Sequence, residues 1–76
     1  MNKTHAHSIA TIKLGLFEQN NGWVFVAVPF TGHFYDEPLF SGKRKSLADA
    51  IDAAKVLAGE QIMVYCRLDN VSSWDL

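Results

Sequence analysis

The side chains able to do chemistry are few and scattered. Cys66 is the single thiol. No histidine stands beside it to act as a base, and it falls on the apolar phase of an alternating run, where a thiol behaves as a small hydrophobe. Of His5, His7 and His33, the first two lie in the N-terminal arm with no carboxylate or cysteine at metal-ligand spacing nearby, and no metal or cofactor is expected. The serines sit in no strand-turn-helix elbow and lack an oxyanion motif. These absences lead us to expect a protein that is not an enzyme.

Two charged groups stand out instead. Lys43-Arg44-Lys45 is a basic cluster directly before Ser46, where cations oppose the positive end of a helix dipole and would suit a phosphate or an acidic side chain. Phe34-Tyr35-Asp36-Glu37 places two aromatic rings beside two carboxylates. Such a loop can present anchors to a basic partner surface, and an acidic track can imitate phosphates. With no glycine-rich cradle before Ser46, a nucleotide site is not indicated.

The elements that must position these groups can be read from periodicity. Ser46 caps a helix over Leu47–Ala58, with Asp49 at capping-box spacing and Gly59 as the left-handed stop. Leu47, Ala50, Ile51, Ala54, Leu57 and Ala58 share one face of it. Ala10, Ile12, Leu14 and Leu16 alternate with polar residues as a half-buried strand. Asn21-Gly22 is read as the hairpin turn, and Trp23–Phe30 as a returning strand that is apolar on both faces. A short strand near Leu39–Ser41 is ended by Gly42, and Ile62–Leu68 alternates as a last strand. Leu14 and Leu16 then share a face with Phe25 and Ala27 in either plausible loop length. The expected fold is α+β: a small antiparallel sheet of three to four strands with one helix on one face, in β-β-β-α-β order. Residues 1–76 form one domain, with 1–7 an N-terminal arm and 69–76 a tail containing Val71 and Trp74.

Composition narrows the function classes. The chain has 76 residues, a net charge of −1 and one cysteine. A domain this small buries only ~60% of its unfolded surface, and no disulfide can staple it. No run is long enough to span a membrane, so the expected location is cytoplasmic. A general nucleic-acid binder would usually be basic. One helix covers one sheet face, which leaves either Phe17, Val24, Val26, Val28 and Phe30 or the Leu14/Phe25 set. That surplus face is open to three occupants: a second copy in a homodimer, the chain's own arm, long loop or tail, or a different protein.

The segment Gly22-Trp23-Val24-Phe25-Val26-Ala27-Val28-Pro29, then Gly32, Gly42, Ser46 and Asp49-Ala50, resembles the N-terminal module of HicB-like antitoxins, over about Gly22–Ala58. The resemblance implies a βββαβ fold and a non-enzymatic protein that sequesters a toxin nuclease. In size and layout the chain is also similar to small phage anti-CRISPR proteins, which act on CRISPR effectors. Together these readings predict a protein-interaction module, an inhibitor that sterically occludes a nucleic-acid-handling protein partner. It would use Phe34, Tyr35, Asp36, Glu37, Lys43, Arg44 and Lys45, with the sheet face of Phe17, Val24, Val26, Val28 and Phe30 as a homodimer or docking interface. The alternative is a direct nucleic-acid binder using the basic cluster.

Overall fold

The computed structural model describes residues 10–68; the arm at 1–7 with His5 and His7, and the tail with Trp74, lie outside them. The fold is α+β: β1 (Thr11–Gln19), β2 (Gly22–Pro29), β3 (Phe40–Arg44), α1 (Leu47–Ala58) and β4 (Ile62–Arg67).

β1 and β2 form a hairpin with Leu16 opposite Phe25 and Leu14 opposite Ala27, the face assignment the alternation predicts. The turn itself is one residue earlier than expected. Asn20 and Asn21, with φ of 51° and 63°, take the two left-handed positions, and Gly22 opens β2. Asparagine tolerates that conformation. Gly22 is needed elsewhere, because a Cβ there would lie 2.9 Å from the Arg44 carbonyl of the neighbouring strand.

β3 also departs from expectation. It runs to Arg44, so Gly42 lies inside the strand rather than ending it, and Lys43 and Arg44 are strand residues. The reason is packing. Gly42 pairs with Phe25, whose ring occupies the space a side chain would fill: a Cβ would sit 2.6 Å from Phe25 Cζ.

The sheet is mixed, not wholly antiparallel, with order β3-β2-β1-β4. β1 and β3 both oppose β2 and so share a direction. The helix α1 returns the chain over the sheet, so β4 must run in that same direction and pairs parallel to β1. A 12-residue helix spans ~18 Å, about the length of the strands it crosses.

Ser46 caps α1 as expected, its Oγ accepting from the Asp49 N–H at 3.1 Å. Gly59 ends it at φ 65°, ψ −122°, a conformation that only glycine adopts without strain. The buried stripe is narrower than the periodicity suggests: Ala50, Ala54 and Ala58 are buried, whereas Leu47 and Leu57 are exposed. Small residues bring the helix close to the sheet, and Ile12, Leu14, Leu16, Phe25 and Ala27 fill the space beneath it. Phe25 meets Phe40 edge-on at 6.3 Å.

The opposite face is not left open. The 30–39 loop inserts Phe34 onto it, and Phe17, Val26, Val28 and Leu68 complete a second buried cluster. Of the three occupants the sequence leaves open for this face, the chain's own long loop is the one seen here, in place of a face left for a second copy or another protein. Of the proposed sheet-face interface, Phe17, Val26 and Val28 are buried within the chain, Val24 is half-buried, and Phe30 is exposed. Cys66 packs half-buried against this cluster.

Candidate functional site

The loop between β2 and β3 is held by its own backbone. The Gly32 N–H donates to the Pro29 carbonyl at 2.7 Å, and the Asp36 N–H donates to the His33 carbonyl at 2.9 Å. Asp36 Oδ2 in turn accepts from the His33 N–H at 3.0 Å. The Leu39 N–H donates to the Ala27 carbonyl at 2.7 Å, which returns the chain to the sheet. A loop closed in this way presents its tip with little conformational freedom left to lose on binding.

Phe34 anchors it. The ring is buried against the sheet, with the Lys13 ammonium 5.2 Å from its centroid. It sits where β1 has no side chain, since a Cβ on Gly15 would be 2.8 Å from Phe34 Cε1 and 2.6 Å from Leu68 Cδ1. Burying such a ring stabilises the loop by ~2–3 kcal/mol.

With Phe34 turned inward, Tyr35 turns outward. It is 68% exposed and stacks on His33, the rings 5.1 Å apart and 3° from parallel. Asp36 and Glu37 follow, both exposed. The aromatic pair expected to act together is therefore divided into an anchor and a presented ring.

Beneath the loop a groove of about 630 Å³ is bordered by Phe17, Val24 and Val26 on its floor, Tyr35 to Glu37 on one wall, and Ser41 and Lys43 on the other. The structure thus joins the acidic-aromatic loop to part of the apolar sheet face, with Lys43 opposite the carboxylates. Its polar and apolar parts could hold an extended peptide segment or a projecting side chain.

Two members of the basic cluster lie on opposite faces of β3. Lys43 shares a face with Val24, and Arg44 with Trp23, so adjacent residues of one strand point to opposite sides. Lys43 Nζ donates to the Asn20 carbonyl at 3.5 Å. Arg44 donates to the Lys43 carbonyl at 2.7 Å and lies 5.8 Å over the Phe25 ring. All three basic residues border a shallower hollow of about 580 Å³ beside the Asn20-Asn21 turn. Two of the three thus make contacts within the chain while remaining exposed.

Ser41 as a groove wall and His33 as the stacking partner of Tyr35 were not anticipated. Ser41 was legible in principle, since period-two spacing carried through Arg44 puts Ser41 and Lys43 on one face. The His33–Tyr35 stack depends on the turn geometry and has no such signal. Among the described residues no three His, Cys, Asp or Glu side chains gather to hold a metal ion, and no helix is long and apolar enough to cross a membrane.

No family model, curated protein or solved structure matches this chain.

Proposed function

We propose that this protein is a non-enzymatic interaction module that binds a protein partner through the 30–39 loop and its groove, occluding a partner that handles nucleic acid. The observation that supports this reading best is the division of labour in the loop. Phe34 is anchored in the second core, while Tyr35 is presented beside Asp36 and Glu37 on a backbone closed by its own hydrogen bonds. An exposed aromatic beside negative charge suits a basic surface, because the ring supplies contact area and the carboxylates compete for cations that would otherwise hold phosphate. Inhibition would be steric and reversible.

The test is a pull-down of wild type against Tyr35→Ala and against Asp36→Asn with Glu37→Gln, followed by nucleic-acid binding of the captured partner. Wild type should retain a partner whose nucleic-acid binding falls when the complex forms, and both variants should lose it. Retention of the same partner by both variants would count against the loop. Tight, salt-steep binding of free nucleic acid, lost when Lys43, Arg44 and Lys45 become Ala, would replace this proposal with direct nucleic-acid binding.

A further inference from the structure

The two edges of the sheet are unlike. The β3 edge carries exposed Lys43 and Arg44, charges of the kind that blunt an edge against pairing. β4, at the other edge, reads Ile62-Met63-Val64-Tyr65-Cys66-Arg67. It contains no proline, and its only charge stands at the last position. Ile62, Val64 and Tyr65 are 52%, 39% and 49% exposed, and among the described residues no strand pairs with its outer side.

The hydrogen-bond phase of that edge is set. The N–H groups of Ile62 and Leu68 donate inward, to the carbonyls of Ala10 and Leu16, both at 2.9 Å. Alternation then directs the N–H and C=O of Met63 and Tyr65 outward. We propose that β4 pairs antiparallel with β4 of a second copy, making one continuous eight-stranded sheet across a twofold axis.

A twofold normal to the sheet pairs residues of like parity and keeps both helices on the same face. With Val64 opposite its own mate, Met63 of each copy faces Tyr65 of the other, and these residues exchange both of their outward bonds. Ile62 then faces Cys66. The pairs from Ile62 to Cys66 are all apolar, the favourable case for cross-strand contact. The charges agree as well. Arg67 lies over the Trp23 ring of its own chain at 5.4 Å, and antiparallel pairing keeps the two Arg67 residues ~20 Å apart at ~3.3 Å per residue, so no like charges meet at the seam. This self-match, apolar against apolar from Ile62 to Cys66 with the one charge of the strand carried clear of the twofold, selects a second copy as the occupant. Pairing here leaves both 30–39 loops free, one on each half of the dimer.

Full-length protein at micromolar concentration should sediment as a dimer. Tyr65→Pro removes an outward donor and no bond to β1, so it should keep the far-ultraviolet circular dichroism. It should raise the dimer dissociation constant about a hundredfold, since two donors are lost and two carbonyls are left unpaired. Should Tyr65→Pro fail to fold, Val64→Lys serves instead, because it brings like charges together at the twofold. Val64→Cys in a Cys66→Ser background should oxidise to a covalent dimer. Cys66 alone should not, because it lies ~13 Å from its mate, beyond the ~7 Å that a disulfide spans between Cα atoms. A monomeric wild type would overturn the proposal. So would a dimer unchanged by Val64→Lys, or crosslinking through Cys66 rather than residue 64.

Discussion

The two faces of this sheet are buried by different means. On one, a regular helix lays three alanines over Ile12, Leu14, Leu16, Phe25 and Ala27. On the other, an irregular loop inserts Phe34 into a cluster with Phe17, Val26, Val28 and Leu68. The helix face gains stability from many close contacts along an element that is itself periodic. The loop face depends on one ring and on a strand position, Gly15, that has no side chain. A small domain with no disulfide can therefore build two cores, but the second is concentrated in fewer residues. The functional consequence is that the less regular face carries the groove.

The helix face is most sensitive at Phe25. This ring is fully buried, meets Phe40 and lies over Gly42, so Phe25→Ala should cost about 3–5 kcal/mol in urea unfolding, much of what a domain this size has. A loss under about 1 kcal/mol would show that the helix face is not the principal core.

Phe34→Ala should cost less, about 2–3 kcal/mol, because the ring keeps slight exposure at 9% and belongs to a loop that can relax. Its signature should be local. Loop amides at His33 and Asp36 should lose hydrogen-exchange protection, while the α1 amides keep theirs. Equal loss in both would mean that the two cores unfold as a single unit.

Gly15→Ala strains the loop face from the strand side. The added methyl meets Leu68 and Phe34 at under 3 Å, and overpacking of this kind costs about 1–3 kcal/mol. Combining it with Phe34→Ala should cost less than the sum of the two changes, since the smaller residue at 34 relieves the clash. Strict additivity in the double-mutant cycle would contradict the contact.

The smallest effect belongs to the helix terminus. Ser46→Ala removes the acceptor for the Asp49 N–H and should lower stability by about 1 kcal/mol without changing the loop's exchange.

Much of the helix face was legible from sequence. Ser46, Asp49 and Gly59 bound α1 at the residues observed, because caps are local chemistry, a side chain or a φ angle acting within one turn. Leu14 and Leu16 share the expected face with Phe25 and Ala27, because moving the two-residue turn by one position changes the register by two and keeps side-chain parity. The remaining features depend on contacts between residues far apart in the chain. Gly42 reads as a strand end, yet the Phe25 ring across the pair makes it an interior residue. The parallel pairing of β4 follows from the crossover of α1, a relation among three elements that no window of sequence contains. Phe34 and Tyr35 look alike in the chain. One is buried and the other presented because Gly15, nineteen positions earlier, leaves room for a single ring. Local chemistry sets where elements begin and end. Which side chain faces solvent at the loop is set by the space that distant residues leave.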